Sequence, residues 1–390
     1  MAFRGAPDWQ GKLSYDEFSH KMFADNPPWP AELQEQDTES TKQVWVEQLD
    51  GRACEWLQRQ GVFCPLNVVA KATQNIAYEN SFHPVKEYLN GLALWDGKYR
   101  VNGWLIKYFG VVPNKREECE IAAKLPSHYD YIVAVGRCWL ISAIARIMQP
   151  GCQADYMLVL EGPQGKKKSS ALRALTGYEW FTDELAEPGS KDAACQLQGK
   201  WIVEMSELDA IRKSDISTVK AFLTRRSDNF RPPYERLSRD FPRQCIFAGT
   251  TNTDDYLKDH TGNRRVWPVP CGEFDVQGLI RDRDQIWAEA FHHYKDGVPW
   301  HITDPGINAV AEVEQLARFD SDVWMPHITA FVISRQWDVT MDDVLLSLGI
   351  EVPKRTQKEK NRVSAVLKSL GMQSYKKREK DTFLWRYRKP

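Results

Sequence analysis

A glycine-rich turn that leads into three lysines and two serines is the part of this sequence with the clearest capacity for chemistry. The turn follows an apolar run at 156–160 and precedes a helical pattern at 171–175. A strand, a turn and a helix in this order are typical of a phosphate-binding loop, in which backbone N–H groups and the helix N-terminus face the phosphates. The residues predicted to contact nucleotide are Gly162, Pro163, Gln164, Gly165, Lys166, Lys167, Lys168, Ser169 and Ser170.

Lys168 and Ser169 stand where the pattern G-x-x-x-x-G-K-[S/T] has its lysine and its hydroxyl. Such a lysine reaches the β- and γ-phosphates and the hydroxyl holds Mg²⁺, so we expect ATP and Mg²⁺ as cofactors. Lys167 departs from the pattern, which has glycine here, and a lysine costs about 1–2 kcal/mol if its backbone is left-handed. Lys166 and Lys167 also add positive charge that attracts phosphate. The alternative interpretation is a basic turn that opens an ordinary helix.

A carboxylate is expected beside such a loop, because an acidic residue at the end of a neighbouring strand orders the Mg²⁺ shell and polarises the attacking water. The strand pattern at 200–207 ends in Glu207, at the edge where open α/β sheets bind their ligands. We assign Glu207 to the catalytic role, with Glu204 as the second candidate. The predicted metal site therefore comprises Ser169 and Glu207, which act through Mg²⁺.

Two further positions complete the predicted catalytic set. The strand pattern at 244–252 ends in Asn252, whose amide could orient the lytic water or contact the γ-phosphate. Arg264 and Arg265 precede another strand pattern. A guanidinium aimed at the γ-phosphate of a neighbouring subunit can raise a rate by roughly 10³–10⁵-fold, and either arginine would fit that role or a structural one.

Composition excludes several classes of protein. The 390 residues include 52 basic and 53 acidic side chains, so any nucleic-acid site must be local. Eight cysteines are scattered without a C-x-x-C pair, which predicts neither a disulfide framework nor a zinc site and favours a reducing, cytoplasmic location. The N-terminus lacks the order of a signal peptide. The apolar run at 138–145 is short and lies between arginines, so we expect a core helix and no membrane partner.

The chain divides into four predicted regions. Residues 1–150 show mainly helical spacing and predict a helical N-terminal domain. Residues 151–300 alternate strand and helix patterns, which predicts an α/β core with helices on both faces of the sheet. A helical linker at 301–320 follows. Residues 321–390 contain three helical patterns and a hairpin pattern, which together resemble a winged helix.

Two basic segments predict contact with DNA. The first, at 220–243, interleaves arginines with aromatic residues, which suits a single strand of nucleic acid; the alternative is a solvated loop whose arginines pair with neighbouring carboxylates. The second, at 354–390, has thirteen lysines and arginines against three acidic residues, and could instead be the solvated face of a protein-docking module. The predicted DNA-binding residues are Lys220, Arg225, Arg226, Arg231, Arg236, Arg239, Lys358, Arg362, Lys368, Lys376, Lys377 and Arg378.

An ordered set of segments between about 80 and 300 resembles the virulence-associated E family. The set comprises 160–165, 180–183, 201–208, 220–223, 231–234, 249–252 and 261–265, preceded by a similar lead-in at 82–89. That family consists of P-loop ATPases of phages, plasmids and integrated islands and is similar to the superfamily 3 helicases within the AAA+ group. The resemblance implies phosphate and Mg²⁺ roles for Lys168 and Ser169, the acidic role for Glu207, a sensor role for Asn252 and a finger role for Arg264 or Arg265. It also implies that the basic stretch grips single-stranded DNA in the pore of a homo-oligomeric ring.

The leading hypothesis is an ATP-dependent DNA helicase or translocase that serves replication of a mobile element. The competing hypothesis is a non-hydrolysing DNA-binding initiator or scaffold whose phosphate loop has decayed, as the departure at Lys167 suggests. A third is a regulatory nucleotide switch that ignores DNA. The fold class expected in all three cases is α/β, with a P-loop NTPase core of the AAA+ or superfamily 3 type.

Overall fold

The structure is a computed structural model that describes residues 2–29, 42–113, 126–206, 208, 216–231, 238–253, 256–257, 263–318, 324–351, 356–379 and 382–388. The chain divides into two compact units. The first unit comprises Met1–Asp254 with Arg264–Gln315, and the second comprises Asp255–Asn263 with Leu316–Pro390. Each unit has its own hydrophobic core.

The first unit begins with a small mixed sheet and three helices. Its strands are β1 (Leu13–Asp16), β2 (Lys21–Asp25), β3 (Lys42–Val44) and β4 (Ser81–Phe82), in the order β3-β2-β1-β4, and its helices are α1 (Ala2–Gly5), α2 (Glu47–Arg59) and α3 (Leu66–Glu79). A 3-10 helix spans Pro7–Trp9. The prediction of a helical N-terminal region is corrected by this sheet. Its strands have two to five residues and pair across long separations, as Tyr15 does with Ser81, so periodicity could not reveal them.

Three helices connect this sheet to the central one: α4 (Pro84–Gly91), α5 (Trp104–Phe109) and α6 (His128–Met148). A capping box between Ser127 and Asp130 starts α6. By length and composition α6 could cross a membrane, but 83% of its most apolar window is buried inside the protein. It packs as a core helix, as the sequence predicts.

The central sheet has five strands, and all neighbouring pairs are parallel. The strands are β5 (Met157–Glu161), β6 (Phe181–Thr182), β7 (Ile202–Met205), β10 (Ile246–Thr251) and β11 (Val266–Pro270), in the order β11-β5-β10-β7-β6. Every residue of β5, β7 and β10 is buried, which is typical of strands in a parallel sheet. The predicted α/β class with a parallel sheet is confirmed.

The remaining elements of this unit lie between or after the strands. The helices are α7 (Lys168–Thr176), α8 (Lys191–Gln196), α9 (Ile216–Leu223), α10 (Val276–Lys295) and α11 (Pro305–Ala317). An antiparallel hairpin of β8 (Ser227–Phe230) and β9 (Arg239–Pro242) precedes β10, and a 3-10 helix at Asn263–Arg265 precedes β11.

The second unit contains three helices and a three-stranded antiparallel sheet. The helices are α12 (Met325–Ser334), α13 (Met341–Ser347) and α14 (Gln357–Ser369); the strands are β12 (Asp338–Thr340), β13 (Gln373–Glu379) and β14 (Thr382–Arg388), in the order β12-β14-β13. Capping boxes at Thr340 and Thr356 start α13 and α14. The helices and the hairpin follow the predicted order, whereas β12 was not foreseen.

A close backbone crossing lies beside the segment that follows β11. Gly110 ends α5 with φ 58°, and Gly272 N donates to Phe109 O at 3.0 Å. A Cβ on Gly110 would lie 2.5 Å from the carbonyl oxygen of Glu273. Since Glu273 pairs with Lys166, this crossing positions a residue that contacts the glycine-rich turn.

We predict that Gly110→Ala lowers the free energy of unfolding by roughly 2–4 kcal/mol, because it adds left-handed strain to a clash with backbone atoms. Gly297→Ala is the matched control: Gly297 is also left-handed, with φ 76°, but no atom lies within 4 Å of the added Cβ. It should cost about 1 kcal/mol. Urea denaturation of both variants measures the difference, and equal losses would contradict the role assigned to the crossing.

Candidate nucleotide-binding site

A cleft opens at the carboxyl edge of the central sheet, where β5 leads through the glycine-rich turn into α7. Its volume is about 380 Å³. Ligands of open α/β sheets bind at this edge. The lining residues come from the turn, from α7 and from the ends of β7 and β10: Gln164, Gly165, Lys166, Lys167, Lys168, Ser169, Ser170, Glu204, Ser206, Thr250 and Asn252.

Lys168 is buried at the first position of α7 and folds back across the turn. Its Nζ donates to the carbonyl oxygen of Gly162, to that of Pro163 at 3.1 Å and to Asn252 Oδ1 at 3.1 Å. The ammonium group therefore lies at the centre of the turn with oxygen acceptors around it. The structure brings together Lys168 and Asn252, two residues that the sequence analysis placed in one site.

Glu204 is the acidic group of the cleft. It is buried on β7, and its Oε1 accepts hydrogen bonds from Ser169 Oγ at 2.8 Å and Thr250 Oγ1 at 2.7 Å. Its Oε2 is buried and has no hydrogen-bond partner among the described residues. Burial raises the pKa of this carboxyl above its ordinary value, and the hydrogen bonds from Thr250 and Ser169 oppose part of that shift.

The donor set fits Mg²⁺ chemically. A serine hydroxyl and a carboxylate with one unpartnered buried oxygen are hard oxygen ligands of the type this ion prefers. Within the described ranges, no group of three or more His, Cys, Asp and Glu side chains could hold a metal ion. Ser169 and Glu204 are thus too few to enclose an ion alone, and the remaining ligands would come from phosphate oxygens and water.

Glu207, the predicted acidic residue, lies outside the described residues. The described strand β7 ends at Met205, so Glu204 lies within it, opposite Ala248 of β10. The sequence analysis ranked Glu204 second because Glu207 ends the strand pattern, at the edge where open α/β sheets bind their ligands. Thr250 was not singled out individually. In the sequence, Thr250 could have been noticed as a hydroxyl residue near the end of a buried strand pattern. The strand register then places it beside β7.

Arg264 and Arg265 do not meet the cleft within this chain. They precede β11, whose Val266 pairs with Met157 at the start of β5, whereas Pro270 pairs with Glu161 beside the turn. Four residues of strand, about 13 Å, therefore separate these arginines from the carboxyl edge. Arg264 is exposed and Arg265 half-buried. If either completes a nucleotide site, that site belongs to another subunit.

The backbone of Lys167, the residue that replaces glycine in the loop pattern, is left-handed, with φ 67° and ψ 27°. Its side chain is exposed. The neighbouring Lys166 pairs with Glu273 on the segment after β11. The lysine at 167 thus adopts the conformation that favours glycine, and the turn keeps its shape at a cost of about 1–2 kcal/mol.

The first predicted DNA-binding segment is partly structural. Arg243 is buried, pairs with Asp228 and stacks on Phe222, and Arg239 stacks on Phe241 at 4.8 Å. Arg225 lies 3.6 Å from Asp228. Part of this segment therefore follows the alternative interpretation, in which its arginines pair with neighbouring carboxylates. Arg226 donates to the Gly151 carbonyl, Arg231 is exposed, Lys220 is half-buried, and Arg236 lies outside the described residues.

The second predicted DNA-binding segment lies on α14 and the β13–β14 hairpin. Arg362 stacks over Trp324 at 3.9 Å, while Lys368, Lys376 and Lys377 are exposed. The side chains of Lys358 and Arg378 lie outside the described part of the structure.

Comparison with models of protein families matches residues 89–319 to the virulence-associated protein E-like domain. Among solved structures, the chain is similar to the A form apo structure of the NrS-1 C-terminal region, with a TM-score of 0.51 and 11% identity over 97% of this chain and 96% of that one. Another A form apo structure of that region gives a TM-score of 0.50 at 11% identity, with the same coverage. At this identity the similarity concerns the fold alone. A search of curated proteins found no match.

We predict that Lys167→Gly raises the free energy of unfolding by about 1 kcal/mol, because glycine adopts a left-handed backbone without a Cβ clash. Lys166→Gly is the matched control. Its position is not among the residues with positive φ, so glycine there should lower stability by up to about 1 kcal/mol. Thermal denaturation of both variants without nucleotide tests the opposite signs. Equal shifts would show that the backbone at 167 is unstrained.

Proposed function

Because the chain belongs to the virulence-associated protein E-like family, whose model matches more than half of it, we propose that its first unit contains a P-loop ATPase core. We further propose that the protein is an ATP-dependent DNA helicase or translocase of the superfamily 3 type, which serves replication of a mobile genetic element in the cytoplasm. The observation that carries this proposal is the convergence of Lys168, Ser169, Glu204 and Asn252 on one cleft.

Each of these residues has a chemical task in ATP hydrolysis. Lys168 exchanges the carbonyl oxygens of the turn for phosphate oxygens, which are stronger acceptors because they are charged. Ser169 and Glu204 would hold Mg²⁺, which when bound would neutralise charge on the triphosphate. Asn252 orients the attacking water. Thr250 positions Glu204 through the 2.7 Å hydrogen bond.

The route from nucleotide to DNA runs along β10. Its carboxyl end carries Thr250 and Asn252, and its amino end continues from the β8–β9 hairpin. The buried ion pair of Arg243 with Asp228 ties the base of this hairpin to the start of β10. A shift at the cleft can therefore move the hairpin as a unit. We assign contact with single-stranded DNA to its flanking basic residues, Lys220, Arg225, Arg226 and Arg231.

A ring of identical subunits accounts for Arg264 and Arg265. Their distance from the cleft of their own chain excludes a role there, and an arginine supplied by a neighbour is a recurrent solution in phosphoryl transfer. For the second unit we propose a winged helix. Its three helices, hairpin and exposed lysines support a contact with duplex DNA.

We predict that single-stranded DNA stimulates ATP hydrolysis by the wild-type protein. Lys168→Ala should lose nucleotide binding. Glu204→Gln should retain nucleotide binding, but its rate of ATP hydrolysis should fall by about 10²-fold or more. Glu312→Gln, an exposed change on α11, is the control and should be unaffected. A phosphate-release assay and calorimetry with Mg·ATP provide the two measurements.

Equal hydrolysis by the wild type and both site variants would refute the ATPase proposal. DNA binding with no measurable nucleotide affinity would instead favour the non-hydrolysing initiator or scaffold. In that case, a large gain in ATP affinity in the Lys167→Gly variant would show that Lys167 is the cause of the lost nucleotide affinity.

Mixing experiments test the proposed donation of arginine between subunits. We expect Lys168→Ala and the double variant Arg264→Ala/Arg265→Ala each to be inactive alone. A mixture should recover part of the activity, because an intact loop of the second variant can meet intact arginines of the first. No recovery after co-refolding, in mixtures whose assembly is verified by light scattering, would contradict the shared site.

A further inference from the structure

One tryptophan on the hairpin of the second unit is exposed. Trp385 on β14 has 56% of its surface exposed, whereas every other tryptophan in the described ranges is buried or half-buried. Tryptophan carries the largest apolar surface of any side chain and is seldom left in water without a partner. Its exposure makes this part of the hairpin a candidate contact surface.

The geometry of the hairpin explains why Trp385 is left uncovered. Tyr387, two residues away on the same face of β14, is buried and reaches Ser364 on α14 with its hydroxyl at 3.1 Å. Trp385 lies two residues earlier in β14 and, unlike Tyr387, is not part of the hydrophobic core of this unit. Its cross-strand partner is Lys376, whose Nζ lies 5.0 Å from the ring centroid. A cation–π contact thus holds the indole ring in place.

The charges around Trp385 favour an anionic partner. Lys376 is exposed on the same face of the hairpin as Trp385, whereas the exposed Lys377 lies on the opposite face. The two strands together contain five basic residues and one acidic residue. On the opposite face, Arg386 is occupied by an ion pair with Asp338 at 2.8 Å. Lys376 therefore brings a positive charge to the exposed ring.

We propose that Trp385 stacks on an unpaired base at a junction between single-stranded and duplex DNA, while Lys376 contacts the adjoining phosphate. Indole rings stack on any base, so the contact is tolerant of sequence. Bases inside a duplex are already stacked on their neighbours, which leaves the unpaired base at a junction as the accessible one. This inference rests on the proposed DNA-binding function and adds the structure of the DNA substrate to it.

The test compares three DNA probes by fluorescence anisotropy: a blunt duplex, a single strand and a forked duplex. Wild-type protein should bind the fork more tightly than the blunt duplex. Trp385→Ala should weaken fork binding by roughly five- to hundredfold, the range for loss of one stacked base, and leave affinity for the blunt duplex unchanged. Trp385→Phe should restore most of the preference. Leu346→Ala, which alters another exposed apolar residue of this unit, is the matched control.

A base analogue reports the stacking directly. With 2-aminopurine at the first unpaired position of the fork, wild-type protein should quench its fluorescence and Trp385→Ala should not. Equal affinity of Trp385→Ala and wild type for the fork, or an equal loss on all three probes, would overturn this inference alone. Absence of binding to every probe would overturn it together with the proposed DNA-binding function, and would indicate a protein partner for this surface.

Discussion

The arrangement of the cleft depends on the buried carboxylate of Glu204. One of its oxygens accepts hydrogen bonds from Ser169 on α7 and Thr250 on β10, so three elements meet at a single atom. A buried carboxylate is unfavourable unless polar groups satisfy it. The two hydroxyls meet that requirement for one oxygen and leave the other without a partner among the described residues. The proposed Mg²⁺ would provide a partner for that second oxygen.

The parallel sheet makes this convergence possible. In a parallel sheet the carboxyl ends of neighbouring strands lie at one edge, and β5, β7 and β10 are adjacent in this order: β5-β10-β7. The central position of β10 gives it contact with both the turn and the acidic strand. Because β10 also continues from the hairpin anchored by Arg243 and Asp228, it is the element through which the cleft and the hairpin are linked.

The three lysines of the turn differ in their surroundings. Lys168 is buried with carbonyl and amide acceptors, Lys166 pairs with Glu273, and Lys167 is exposed on a left-handed backbone. Local strain of this kind is found where surrounding structure determines the backbone. Here the start of α7 and the hydrogen bonds of Lys168 do so. A turn with lysine in place of glycine can therefore keep the geometry of the site.

The sequence by itself determined the strand, turn and helix around Lys168, because that signal lies within about fifteen consecutive residues. It also predicted that Asn252 lies at the edge of the sheet that carries this turn, and the structure has its Oδ1 3.1 Å from Lys168 Nζ. The tertiary structure alone identified Glu204 as the buried partner of Ser169, separated Arg264 and Arg265 from the cleft, and buried Arg243 inside a segment that composition suggested was a DNA surface. These outcomes depend on strand register and burial. Both are determined by contacts between residues far apart in the chain, so local periodicity does not predict them.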